Sequence, residues 1–248
     1  MSLLGLERVG SGPVVVWLHG FTQTKHSGHQ FRSILAGSHT LITLDLPGHG
    51  DNASIGASLD ETADLLAGAL PREPFALGGY SLGARVALHF ALRHPERLSS
   101  LVLLSTTPGI ADEQERRARR LRDEALADRI ELIGATAFLD EWLAQPMFSA
   151  LPADPQERLA RSTHAHGLAT SLRLAGTGTQ KDLTGALRRL TIATTVIAGE
   201  NDPKFLNEAT RLCEAIPHSH RHTVAHAGHA AHLEAPLDVA SLVCESAL

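Results

Sequence analysis

GGYSLGARVAL, residues 78–88, sets a serine midway between Gly79 and Gly83 in a run that is otherwise mostly apolar. The preceding FALGG has the composition of a buried strand, and the following ARVALHFALRH repeats apolar residues at helical spacing. Ser81 therefore falls on the turn from a strand into a helix. A turn this tight accepts only small residues beside the serine and holds its hydroxyl out at the end of the sheet, near the positive end of the helix. Arg85, the i+4 residue of a helix starting at Ser81, lies on the same face one turn along, where a core helix would carry an apolar side chain.

The same alternation extends outward. VVVWL (14–18), LITLDL (41–46), FALGGYS (75–81), LSSLVLLS (98–105), ATTVIAG (193–199) and HRHTVA (220–225) read as strands, with helical patterns at 58–70 and 83–94. Strand and helix in turn predict an α/β fold: a mostly parallel sheet with right-handed crossovers and helices on both faces. Residues 109 to about 185 break the rhythm. They hold an Arg-rich helix (EQERRARRLRDEALADRIELI), a segment with Trp142 and Phe148, and a third helical stretch at about 155–175. Such an insertion reads as a helical cap over the sheet edge where ligands bind, within a single domain spanning 1–248.

Composition narrows the function. The chain has 248 residues, 43% of them hydrophobic and 20% charged, as expected of one globular domain with a sizeable core. Its net charge of −5 gives no basic surface for nucleic acid. No apolar run approaches the roughly 20 residues of a membrane span. The N-terminal stretch lacks a basic n-region, so VVVWL reads as a strand, the protein as cytoplasmic, and Cys213 and Cys244 as buried, reduced thiols. Nothing bears on oligomeric state.

A serine of this kind needs a histidine, and the histidine a carboxylate, in the chain order Ser, Asp, His. GENDPKF puts Asp202 in the loop after one strand, and AGHAAHLEAP puts His229 in the loop after the last. All three then sit at the carboxyl ends of parallel strands. Glu200 is the rival acid but lies closer to its strand; His232 is the rival base but reads as the start of the final helix. Backbone N–H groups of Leu82 and of Phe21, in LHGF (18–21), complete an oxyanion site. His218, His220 and His222 alternate like metal ligands, but no Cys or carboxylate joins them, and no metal is assigned.

Taken together these motifs resemble the α/β-hydrolase superfamily over nearly the whole chain. GYSLGAR, TPGI…ERRARR, FLDEWLAQPMFSAL, SLRLAGTGTQ, GENDPKF and AGHAAHLEAP resemble more narrowly the 2-succinyl-6-hydroxy-2,4-cyclohexadiene-1-carboxylate synthases (MenH) of menaquinone biosynthesis. That resemblance implies a lyase that eliminates pyruvate from an enolpyruvyl intermediate bearing three carboxylates, with the triad as base and no cofactor. It assigns the carboxylates to Arg85, to Arg119 of the cap and to Arg161 in RLARS of the third cap helix. Lys204 contributes beside the triad, and Tyr80 and Trp142 are flat walls. The implied partner is a small polycarboxylate. Arg116, Arg117, Arg120 and Arg122 compete with Arg119, and a solvated helix face is the plain alternative for Arg85. Here Ala84 stands where the family usually has glycine, and GHGDNAS replaces the commoner GHG-x-S. Two rivals share the same residues: a hydrolase of small esters or C–C bonds using Ser81 as nucleophile, and a non-catalytic binding protein on a hydrolase fold. Only an arginine set separates the synthase from the hydrolase, because a neutral ester has no use for buried cations.

Overall fold

In the computed structural model, which describes residues 4–247, the β-branched runs assemble into one seven-stranded sheet. Along the chain come β1 (Leu6–Val9), β2 (Val14–Leu18), α1 (His29–Ala36), β3 (Thr40–Leu44), α2 (Leu59–Ala69), β4 (Phe75–Tyr80), α3 (Leu82–Arg93) and β5 (Leu98–Leu104). There follow α4 (Glu113–Ile133), α5 (Ala135–Leu143), α6 (Pro155–Leu159), α7 (Ala165–Ala175) and α8 (Thr184–Leu187). The chain then returns to the sheet with β6 (Thr194–Gly199), α9 (Pro203–Ala215), β7 (Ser219–Val224), α10 (Ala231–Glu234) and α11 (Pro236–Ser246). The sheet order is β1-β3-β2-β4-β5-β6-β7, and every pairing is parallel except β1 with β3.

β3 and β4 are buried throughout, and β2 and β5 nearly so, as strands covered on both faces must be. One face packs on α1 and α11 through Phe31, Leu35, Val239 and Val243. The other packs on α2, α3 and α9 through Leu66, Phe90 and Leu212. α2 begins with a full capping box between Ser58 and Glu61, the pattern that stops a helix fraying at its N-terminus. Between β5 and β6 the helices α4, α5 and α7 form a third, smaller core around Ile130, Phe138 and Leu172. This is the segment anticipated as a cap, and α4 covers the Arg-rich run.

Three sequence expectations change. β1 was not foreseen: it is only four residues, half exposed, and is fixed by antiparallel pairing to β3. The stretch at 155–175 is two helices, and Arg161 lies between them rather than in a helix. There Ser162 N–H donates to Thr22 O, and Ala160 O accepts from the hydroxyls of Thr24 and Ser27, so tertiary bonds replace helical ones. The two cysteines are free, as expected, but half-buried rather than buried.

Two histidines inside the fold cannot take up protons freely. His49 is fully buried; burial, and then the neighbouring His19, push its pKa down to about 3. Burial, and then Arg161, do the same to His232, also to about 3. A folded pKa below the unfolded value means that the unfolded chain binds the protons first. The stability these groups contribute is complete above pH ~6.5 and is lost as pH falls toward ~3, by roughly 2 kcal/mol per histidine at pH ~5. Urea unfolding should therefore show stability falling from pH 7 to pH 5, and His49→Gln should make that slope shallower.

Candidate active site

The turn at Ser81 is built by strain and close packing. Ser81 has φ 51°, ψ −104°, in the left-handed half of the map that non-glycine residues avoid. Its N–H donates to Leu104 O (2.9 Å) at the end of β5, and its carbonyl accepts from Arg85 N–H (3.0 Å) in the first turn of α3. Gly79 and Gly83 are required by contact. A Cβ on Gly79 would sit 2.5 Å from the Gly83 carbonyl carbon, and one on Gly83 2.2 Å from Leu18 O. The second contact presses the start of α3 against the loop that leaves β2.

The other two members arrive as their chain positions demand. Asp202 caps α9 through Oδ1, which accepts from Phe205 N–H (3.4 Å), while Oδ2 accepts from His229 Nδ1 (2.7 Å). His229 Nε2 lies 3.4 Å from Ser81 Oγ, a long hydrogen bond of the kind that tightens when substrate binds. His229 and Asp202 are buried, and Phe205, Tyr80 and Phe148 ring the imidazole at 4.4, 5.3 and 6.0 Å between centroids. Glu234 holds the histidine's loop by accepting from the backbone N–H groups on both sides of it, Gly228 and Ala230. Of the rivals, Glu200 accepts from His226 N–H and is not bonded to His229. His232 faces Gln23 instead of Ser81.

Neither Phe21 N–H nor Leu82 N–H donates to any group among the described residues, so both amides are unpaired. The Phe21 ring stands edge-on to Trp142 at 5.2 Å, which ties this loop to α5.

The cations fall into two groups by the charges that act on them. Arg85 is 7% exposed; its Nη1 donates to Ala175 O (2.8 Å), and it makes no ion pair among the described residues. Burial, and then the charge of Arg119, push its pKa down to about 10. Arg119, half-buried on α4, pairs with the buried Asp123 through Nε (2.7 Å), and Asp123 in turn accepts from Gly178 N–H (2.8 Å). Of its competitors, Arg117, Arg120 and Arg122 are exposed and Arg116 is half-buried like Arg119. Lys204 is exposed at the start of α9 with Nζ 5.2 Å from the Phe205 ring centroid; crowding around the amine, and then Arg119, lower its pKa. Arg161 forms the other group. It is buried, pairs with Glu157 (3.1 Å) and donates to Thr22 Oγ1 (3.0 Å). Burial also lowers its pKa, and its charge is felt by Tyr80, His19 and His232. Arg85 and Arg161 are thus held by separate sets of partners.

A cavity of about 800 Å³ opens beside this centre, with Arg161, His232, Phe148 and Glu157 in its wall; Ser81 and His229 are not among its lining residues. His19, Gln23, Glu157 and Glu234 surround these residues without any signature in the sequence. Each is recognisable only by what it touches.

A sheet that delivers a strained serine after β4, an acid after β6 and a histidine after β7 defines a hydrolase-type fold. A family model described as alpha/beta hydrolase fold matches residues 13–236, and the chain belongs to that family. It is 35% identical over 254 residues to the 2-succinyl-6-hydroxy-2,4-cyclohexadiene-1-carboxylate synthase of Enterobacter sp. (strain 638), covering 99% of this chain and 96% of that protein. The enzyme of the same name from Escherichia coli O1:K1 is 33% identical over 234 residues, covering 92% of this chain and 90% of that one. Among solved structures, MenH from S. aureus superposes with a TM-score of 0.91 at 31% identity, covering 99% of this chain and 97% of that one.

The contact of Gly83 with the β2 loop gives a direct test. Gly83→Ala must displace Leu18 O and His19 O, 2.2 and 2.6 Å from the new methyl. It should lower the unfolding free energy by about 1–3 kcal/mol or more, measured in urea, and reduce activity by more than the loss of folded protein explains.

Proposed function

We propose that this protein is a 2-succinyl-6-hydroxy-2,4-cyclohexadiene-1-carboxylate synthase, a carbon–oxygen lyase acting in the cytoplasm on a small tricarboxylate of menaquinone biosynthesis. The observation that carries the reading is Arg85: a buried guanidinium one turn from Ser81, partnered by a carbonyl and by no carboxylate. The Asp123 carboxylate acts on Arg85 through space but is itself paired with Arg119, so the buried Arg85 has no carboxylate of its own among the described residues; that is costly, and a substrate carboxylate offsets the cost. A neutral ester does not.

In this reading the triad works as a base. His229, oriented by Asp202, takes the Ser81 proton, and the Ser81 oxygen takes the proton next to the succinyl ketone of 2-succinyl-5-enolpyruvyl-6-hydroxy-3-cyclohexene-1-carboxylate. The electron pair passes onto the ketone oxygen, where Phe21 N–H and Leu82 N–H stabilise the negative charge. Its return through the ring double bond gives the 2,4-diene and expels the enolpyruvyl oxygen, which becomes pyruvate on protonation. No acyl-enzyme forms. Arg85, Arg119 and Arg161 bind the three carboxylates, with Lys204 alongside and Tyr80 and Trp142 as walls; the helices between β5 and β6 form the cap that carries Arg119, Trp142 and Arg161. Guanidinium groups suit this task because they pair with carboxylates through two parallel hydrogen bonds.

Incubation with the enolpyruvyl intermediate should release pyruvate, and rapid quench with intact-mass measurement should find no adduct of substrate mass on Ser81. Accumulation of such an adduct, without pyruvate release, would establish the ester-hydrolase alternative. Arg85→Ala should lower kcat/KM for the tricarboxylate roughly 10- to 150-fold while changing cleavage of a neutral p-nitrophenyl ester little. Equal losses on both substrates would remove Arg85 as a carboxylate ligand.

A further inference from the structure

We propose that Gln23 is a positioning residue that fixes the peptide carrying Phe21 N–H and locks it to the cap and to the loop after His229. The inference rests on the reading of Phe21 N–H as an oxyanion donor.

A trans peptide carries its C=O and N–H on opposite edges, so anchoring one edge aims the other. In the Gly20–Phe21 peptide the carbonyl edge is anchored twice. Gly20 O accepts Gln23 N–H (3.1 Å) and also His19 Nδ1 (2.9 Å). The histidine's tautomer follows from its other nitrogen, because Leu46 N–H donates to Nε2 (3.0 Å), which leaves the ring proton on Nδ1. The Phe21 N–H on the opposite edge is the one left unpaired.

Gln23 also grips the preceding amide. Gly20 N–H donates to Gln23 Oε1 (2.8 Å), so this one residue holds both the N–H and the C=O of Gly20. With Oε1 fixed as the acceptor, Nε2 is the donor. It reaches His232 Nε2 (3.2 Å), three residues after His229, and Glu157 Oε1 (3.5 Å) in α6 of the cap. Glu157 also pairs with Arg161 and accepts Gly28 N–H (2.6 Å). Gln23 is 1% exposed, so water does not replace these bonds when they are cut.

Within the same turn Thr22 has φ 68°, a costly conformation for a β-branched residue. It is held there from the cap, by Arg161 Nη1 on its hydroxyl and by Ser162 N–H on its carbonyl (2.8 Å). Strain held in place from outside the turn implies that the turn relaxes when those contacts are cut.

The test compares wild type, Gln23→Met and Gln23→Glu, each checked for folding by circular dichroism and thermal melting. Gln23→Ala is the second variant should Gln23→Met not fold. Two readouts are needed: kcat and KM for pyruvate release, and the rate constant for modification of Ser81 by a fluorophosphonate. The probe needs the triad and the oxyanion site but not the native substrate. Removing one oxyanion donor outright costs ~100- to 1000-fold, and misaiming it should cost less. We expect Gln23→Met to lower kcat and the phosphonylation rate together by ~10- to 100-fold, with KM within ~3-fold. Gln23→Glu keeps an oxygen for Gly20 N–H but removes the donor to His232 and sets a buried carboxylate against Glu157, so it should lower both rates at least as far as Gln23→Met. A folded Gln23→Met with an unchanged phosphonylation rate overturns the positioning role, as does a rise in KM alone. If phosphonylation responds to Gln23 while wild type releases no pyruvate, the positioning role stands and the lyase reading fails. A wild-type Ser81 inert to the probe overturns both.

Discussion

Ser81 N–H donates to Leu104 O, and the rest of the site is arranged around the peptide that this bond holds. The bond ties the end of β4 to the end of β5 at the point where the chain must reverse into α3. It keeps Ser81 in a conformation worth about 1–3 kcal/mol of strain. The two flanking strands are among the most buried in the molecule, so that cost is offset by core packing and not by contacts within the site. Backbone geometry therefore sets the serine's direction, and the unpaired Leu82 N–H next to it follows from the helix starting there. Gly83 lets the loop from β2 come within contact distance, which places the Phe21 peptide on the same side.

The acid and histidine depend on the same sheet in a different way. Asp202 serves α9 as its cap and His229 as its partner, one carboxylate oxygen for each. A single residue thus fixes where the helix begins and which way the imidazole turns. Glu234 clamps the loop that carries His229, and three aromatic rings crowd the imidazole. Around this rigid centre the polar interior is expensive. Arg161 is held by Glu157 and Thr22, and Arg85 by little more than the Ala175 carbonyl. Buried charge maintained in this state is what a site for a polyanion requires, and it has no value in a site for an uncharged ester.

Much of this was legible in the chain. Runs such as VVVWL and LSSLVLLS declare buried strands because β-branched and aliphatic residues in short runs have few other stable uses. The strand–GYSLG–helix junction and the chain order of Ser81, Asp202 and His229 are local features, and each landed where its strand ended. α4 also emerged as read, since twenty-one residues without glycine or proline leave little alternative to a helix.

What the sequence withheld depends on partners distant along the chain. β1 is four residues of mixed polarity, a strand only because β3 offers it a free edge. Arg161 was placed in a helix by its neighbours in sequence, yet Thr22 and Ser162, 140 positions apart, decide that it lies in a turn. Among the α4 arginines pattern alone does not choose; the ion pair of Arg119 with the buried Asp123 appears only in the folded chain. Gln23, His19, Glu157 and Glu234 have no signature at all, because a polar side chain becomes part of a site only when folding seals it from water and leaves it one set of partners. Local propensity and spacing are written into the chain and determined the fold and the triad. The hydrogen-bond network around them exists only once the loops and the cap have closed on each other, since in water each of those groups bonds equally well to solvent.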